Sequence, residues 1–400
     1  MRIAINLFHT SPASVTGAFV YIQNILPALF QNGTENIYYL LGELETITYF
    51  KSLYGNLPSI RFHTFTIKQD LFHNPIRAMR KMWAKVIRDY QLREHILATE
   101  ISDLVASKDI TVYFSPASLY PRGLKGVHIV TTIHDLQPEY FPENFSPKYL
   151  TGRRENCQYA IAHSSRLIAI SAYTKKTLWE TYGANPEKIA VIYHAPQEIK
   201  SDVATLELPR EFVFYPAALW PHKNHHILIK ALGILKDRFP SLQVLCSGTI
   251  KNEDFKNDLE LLAESEGVAG RVSFLGYVSD GDLHSLYTKA KALVFPSAFE
   301  GFGIPLLEAF QRGLPVIAAD NTSITEVVDG AGLLVKTGDA EALAEAIERV
   351  LTNSALRAEL VRKGYERVKM FSWQKAAEET LQTFTQAACD SERDNAPHSH

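Results

Sequence analysis

Cysteine is scarce in this chain: three in 400 residues, Cys157, Cys246 and Cys389, with no CxxC pair. That spacing argues against a disulfide framework or a cysteine-built zinc site, and it fits a reducing compartment. Long apolar runs are missing as well. No stretch approaches the roughly eighteen apolar residues of a membrane-spanning helix. The opening MRIAINLFHTSP has a short apolar run broken at Asn6, which suits a first buried strand better than a secretory leader. Positive charge is not in excess: 41 basic residues stand against 44 acidic ones, for a net charge of −3. Nucleic acid is therefore not an expected partner. The nicotinamide fingerprint GxGxxG fails, because Gly301-x-Gly303 runs into Pro305 and Leu306, and no GxxxxGK loop exists. His222, His225 and His226 form HxxHH without the carboxylate of HExxH. Asp280-Gly281-Asp282 resembles a metal-binding D-x-D, but it reads better as a capping box, with Ser279 at the cap and Asp282 reaching back. Neither a metal nor a cofactor is expected.

What is present is alternation. Short apolar runs at 2–7, 112–114, 128–133, 166–170 and 190–192 read as strands, with helical periodicity between them, as at 19–30. Strands separated by helices pair in parallel through crossovers. The pattern breaks at 195–210, APQEIKSDVATLELPR, which has two prolines and no clear period and reads as a linker. It restarts with strands at 212–216, 243–247, 272–275, 292–295 and 315–318. A chain of this length splits into two domains. The expected fold class is α/β, with two doubly wound Rossmann-like domains facing a central cleft. The expected boundaries are 1–198 and 208–370. A helix at about 372–386 is free to return to the first domain, and the polar tail 390–400 is expected to be disordered.

The most informative segment is 290–335. A strand ends at Pro296-Ser297, followed by Glu300-Gly301-Phe302-Gly303-Ile304-Pro305 and then by 306–312 in helical register. Two glycines let a ligand approach the backbone. Pro305 suits the first helical positions, where its missing N–H costs nothing. The free amides and positive dipole end of that helix form an anion site, for which phosphate is the natural ligand. Glu300 and Glu308 flank the turn and can accept hydrogen bonds from sugar hydroxyls. A phosphate between two carboxylates reads as sugar–diphosphate–ribose.

EGFGIPLLEA is similar to the E-x7-E signature of glycosyltransferase family 4, whose fold is GT-B. The similarity continues through GLPVIAAD, NTSITEVV and GAGLLV. It includes FLGYVSDGDLHSLYTKAKALVFPS and WPHKNHHILIKAL upstream, and TTIHDLQPEYFP and AISAYTKKTL in the first half. It covers most of the chain except about 40–110. The resemblance implies a retaining, metal-independent transferase that uses a GDP- or UDP-sugar. It implies that Glu300 contacts donor-sugar hydroxyls, Glu308 binds the ribose, and the amides of Phe302, Gly303 and Ile304 hold the diphosphate. Lys223 would pair with that diphosphate as the glycosidic bond breaks. His134 would lie close to the donor sugar, and Gly17, in the loop after the first strand, would leave room for phosphate or acceptor. Three positions depart from the family pattern. Ala218 stands where an arginine is usual, with His222 or Lys175 as candidate replacements. Thr325 replaces a proline before Glu326, and the first loop has one glycine instead of two.

The expected reaction moves a hexose-type sugar to a glycan or lipid-linked acceptor, in the setting of bacterial surface polysaccharide synthesis. A nucleotide-sugar epimerase of the same fold and a non-catalytic sugar-nucleotide-binding protein are the alternatives. A retaining glycosidase needs carboxyls about 5–5.5 Å apart, which a phosphate-binding turn does not promise. The expected location is cytoplasmic. The stretch 77–97 sets Met79, Met82, Trp83, Val86 and Tyr90 on one helical face. Six basic residues against two acidic ones over 77–94 leave peripheral contact with the inner face of the membrane open, beside packing on the first domain.

Overall fold

The computed structural model describes residues 1–8, 10–11, 17–65, 90–199 and 202–394. Most of the amphipathic stretch 77–97 lies outside the described residues; its end forms the start of a helix at Tyr90–Ser107. No described helix is long and apolar enough to cross a membrane.

Two parallel sheets carry the fold. The first contains β1 (Arg2–Asn6), β2 (Ile37–Gly42), β3 (Ile60–Thr64), β4 (Val112–Ser115), β5 (His128–Ile133), β6 (Arg166–Ala169) and β7 (Ile189–Val191), in the order β3-β2-β1-β4-β5-β6-β7. The second contains β8 (Phe212–Pro216), β9 (Gln243–Ser247), β10 (Val272–Phe274), β11 (Leu293–Phe295), β12 (Val316–Ala319) and β13 (Leu333–Val335), in the order β10-β9-β8-β11-β12-β13. Every strand pair is parallel. Central strands such as β4 are buried along their whole length. That burial explains continuous apolar runs in place of alternating ones. The two sheets are the GT-B architecture. In each sheet the winding direction reverses beside the first strand, between β1 and β4 and between β8 and β11. A crevice opens at the carboxyl ends of strands at such a reversal.

The strands β2, β3 and β13 were not anticipated. β3 is an edge strand, half exposed except at Ile60, and β13 has three half-buried residues, so neither shows a strong apolar run. α1 (Gly17–Asn32) includes Gly17 as its first residue, not a loop position. Gly17 still faces open space, since a Cβ there would meet nothing within 4 Å.

The last described helix, α2 (Trp373–Asp394), packs against α1 and under the first sheet. Ala376, Ala377, Phe384 and Ala387 join the first-domain core, with Phe384 5.0 Å from Phe114 between ring centroids. The Trp373 indole N–H donates to the Pro196 carbonyl at 3.0 Å, tying the helix to the linker. The helix runs to Asp394, and 395–400 lie outside the described residues. Extending a formed helix adds a hydrogen bond per residue without a new nucleus. The linker is held in turn by Asp282, whose carboxylate accepts from the Thr205 and Leu206 amides at 2.6 and 2.9 Å and from the Ser279 hydroxyl at 2.7 Å. The helix cap is as anticipated, with the Asp282 amide donating to Ser279 Oγ at 3.2 Å. The second role of Asp282, anchoring the linker, had no sequence signal.

Candidate functional site

The turn after β11 is stitched to its neighbours. Ser323 Oγ donates to the carbonyls of Glu300 and Phe302 at 2.9 and 3.1 Å. Asn224 donates to the Pro296 carbonyl at 3.0 Å, and the Ala298 amide to the His222 carbonyl at 2.8 Å. The turns after β8 and β11 are therefore fixed to each other. A helix, α3, follows at Ile304–Gln311, with Pro305 in its first turn and Gly303 at its cap. Gly303 has φ +100°, a conformation only glycine adopts without strain. Gly301 is required for another reason: a Cβ there would run into the His134 carbonyl oxygen of the first domain.

Lys223 sits in a short 3-10 turn, Pro221–Lys223, ahead of the helix that begins at His225. Its ammonium lies 2.6 Å from Glu300 Oε1, with side chains only 18% and 13% exposed. A nearly buried pair of this kind is costly to break by removing one partner, because the other charge is left unpaired. Glu308, on α3, is 5% exposed and accepts from the Tyr287 hydroxyl at 2.5 Å. Burial raises the Glu308 carboxyl above the usual carboxylate range, against the Tyr287 hydrogen bond and the Arg312 charge. Arg312 lies 5.4 Å over the Tyr287 ring.

His134 follows β5 in the first domain. Its Nε2 is 2.8 Å from the Pro116 carbonyl, so that nitrogen carries the proton and donates. Burial lowers its pKa and keeps the ring neutral. Tyr21 and His194 pack on it at 5.3 and 5.8 Å. Gly17, His134, Lys223, Glu300, Phe302, Gly303, Ile304 and Glu308 all line one cleft of about 1010 Å³ between the two sheets. The structure thus brings these eight residues to a single space. The Phe302 side chain is buried against His194 and Tyr193, so only its backbone is available to a ligand.

Neither candidate for the missing arginine at Ala218 brings a cation into the cleft, whose lining does not include Lys175. His222 is pushed down to about 3 by burial and by the Lys223 charge, and its ring meets the Gln137 amide nitrogen at 2.8–2.9 Å. Lys175 donates to the Ile189 carbonyl at 2.8 Å. Lys251, which sequence reasoning did not single out, lines the cleft instead. Glu326 was also missed. From the second domain it accepts from the amides of Ala172 and Tyr173, both at 3.0 Å, and from the Tyr193 hydroxyl at 3.1 Å. Those amides open the helix Ala172–Tyr182 of the first domain, so a carboxylate from one half caps a helix of the other. Nothing in the local sequence marks that partner, because it lies about 150 residues away along the chain. Among the described residues no three His, Cys, Asp or Glu side chains gather as a metal site.

The comparisons agree with this layout. A family model described as Glycosyltransferase Family 4 matches residues 16–195, and one described as Glycosyl transferases group 1 matches 197–367. The chain is 32% identical over 219 residues to the O-antigen chain mannosyltransferase RfbU of Salmonella typhimurium, covering 55% of this chain and 60% of that relative. It therefore spans less than two thirds of that relative's length. It is 29% identical over 288 residues to the O-antigen chain mannosyltransferase B of Escherichia coli, covering 68% and 74%. The crystal structure of Anabaena Alr3699/HepE in complex with UDP and glucose superposes with a TM-score of 0.68 at 19% identity, over 96% of this chain and 99% of that one. At that identity the likeness speaks for the fold alone.

Proposed function

Because the chain belongs to glycosyltransferase family 4, with its two matched halves and GT-B fold, we propose that it moves a hexose from a nucleotide diphosphate sugar to a saccharide or lipid-linked acceptor. The proposed transfer retains anomeric configuration, needs no metal and takes place in the cytoplasm. The setting is bacterial surface polysaccharide assembly, and a mannosyl group fits the names of the relatives.

The observation that carries this reading is the largely buried Lys223–Glu300 pair beside the cap of α3. With no donor bound, each charge neutralises the other. A donor offers both a better partner: its diphosphate takes the Lys223 ammonium and the amides of Phe302, Gly303 and Ile304, and its sugar hydroxyls take the Glu300 carboxylate. The negative charge that grows on the leaving diphosphate is then met by groups already in place, which is where such sites gain most of their rate. Glu308 would accept from the ribose hydroxyls beside the hydrogen bond it already takes from Tyr287. Neutral His134 would face the donor sugar from the first domain. The Gly301–His134 approach and the Glu326 cap hold the two halves together.

The test is calorimetric titration of the full chain with UDP, GDP, ADP and TDP in excess EDTA. Micromolar binding of one of them is expected, and it names the donor class without metal. Binding of none, or binding only when a divalent cation is restored, would overturn the reading. Free epimerised sugar from the matching donor, with no acceptor consumed, would favour the epimerase.

A further inference from the structure

We infer that the open face of Tyr149, rimmed by Arg153 and Asp135, is a saccharide subsite that seats the terminal sugar of the acceptor. The inference rests on the transferase reading above and adds the position and chemistry of its second substrate.

Tyr149 is 49% exposed although it lines the cleft. One of its faces is covered: Phe145 stacks on it with centroids 5.1 Å apart and planes 11° apart. Behind Phe145 stands Trp220 of the second domain at 6.1 Å, with the Lys251 ammonium 5.5 Å from the indole centroid. The stack thus covers one face of Tyr149 and leaves the residue half exposed at the lining of the cleft. Ser146 between the two rings caps the helix Pro147–His163 and accepts from the Tyr149 amide at 3.3 Å. Trp220 belongs to the turn that carries Lys223, whose amide donates to the Trp220 carbonyl at 3.0 Å.

A pyranose ring presents a face of C–H groups and an edge of hydroxyls. The C–H face suits the negative face of an aromatic ring. The edge wants donors and acceptors side by side, and both are present. Arg153 lies four residues after Tyr149 on the same helix, hence on the same side. It faces the Asp135 carboxylate at 3.9 Å, a loose pair with both side chains about one third exposed. One Asp135 oxygen accepts from the Gln137 amide at 3.1 Å, which fixes the carboxylate beside His134. All three residues line the cleft. A nucleobase is a weaker fit: the open ring, the guanidinium and the carboxylate all belong to the first domain, whereas the diphosphate and ribose groups sit on the second.

The test uses the full chain, saturated with whichever nucleoside diphosphate binds, and α-mannobiose and methyl α-mannopyranoside as probes. Saturation-transfer NMR reads which sugar protons touch protein, and titration reads affinity. Wild-type protein should transfer magnetisation mainly to the C–H protons of one sugar face. Tyr149→Ala should weaken saccharide binding on the order of tenfold, the scale of one lost aromatic contact. Tyr149→Phe should retain it, and Arg153→Gln should weaken it without changing which face is touched. Saccharide affinity unchanged in Tyr149→Ala overturns the inference. So does a loss of nucleotide affinity in its place, which would make the ring a base platform. Absence of any saccharide binding by a wild-type protein that binds nucleotide overturns it as well. Failure of the wild type to bind any nucleoside diphosphate is a different result, since it removes the transferase reading itself.

Discussion

The two walls of the cleft differ in kind. On the second domain, a lysine and two glutamates converge on a helix start, and hydrogen bonds between consecutive turns hold them. On the first domain, the wall around His134 is mainly aromatic, with the Asp135–Arg153 pair at its edge and His194 3% exposed and stacked on Tyr21 at 4.8 Å. Burial holds both His134 and His194 below the usual histidine range. One wall is arranged to meet charge. The other offers shape, dry surface and a few polar edges. A reaction that expels an anionic diphosphate needs its fixed charges where that anion departs. The partner sugar carries no charge and needs contact more than field.

Changes on the charged wall should cost most. Lys223→Ala should cost about 2–4 kcal/mol of transition-state stabilisation, read as kcat with the matching donor. Near-normal turnover would mean that the two walls are not divided in this way. Glu308→Gln should lower nucleoside diphosphate affinity by about 1.5–3 kcal/mol, the value of hydrogen bonds to a charged group. The same variant should melt at a higher temperature without ligand. The sign follows from the raised pKa of Glu308. A raised carboxyl favours folding below its unfolded pKa and loses that contribution as pH rises through its folded value. At neutral pH the ionised form therefore opposes folding, and glutamine removes that cost. Calorimetry and thermal unfolding of one preparation check both halves.

Smaller effects belong to the seams between the walls. Glu326→Gln removes the negative charge from the first-domain helix start and should cost about 0.5–2 kcal/mol, read by thermal unfolding. No change would mean that the contact does not couple the halves. The mildest effect should come from Asp282, held down to about 2 by the Ser279 hydroxyl and the Leu206 and Thr205 amides. A lowered carboxylate contributes stability above its ordinary pKa and loses it as pH falls toward the folded value. Stability should decline between about pH 4 and pH 2, with proteolysis appearing first in the linker. Asp282→Asn should flatten that decline; an unaltered slope would assign the acid sensitivity elsewhere.

The same contrast governs what the sequence reveals. The charged wall comes from contiguous segments: Glu300, the glycine turn, Pro305 and Glu308 lie within nine residues. Its chemistry is therefore written locally, and helix-start rules make it readable. The walls and their sheets were readable from apolar runs, save for the weakly buried β3 and β13 and for β2, which lies close to the stretch where the family resemblance lapses. The aromatic wall is assembled from residues such as Tyr21, His134, His194 and Trp373, distant along the chain, and only the fold brings them together. The Glu326 cap and the Asp282 anchor fail for the same reason. Lys223 was legible, yet its partner in the free protein was not, because a 2.6 Å contact between two turns has no local signature.

The central claim is that Lys223 serves the second phosphate of the donor. The most direct measurement compares nucleoside diphosphate with nucleoside monophosphate affinity in wild type and in Lys223→Ala. The wild type should strongly prefer the diphosphate, and that preference should collapse in the variant while monophosphate affinity changes little. An undiminished preference in Lys223→Ala would contradict it, and would place the second phosphate against other groups of the cleft.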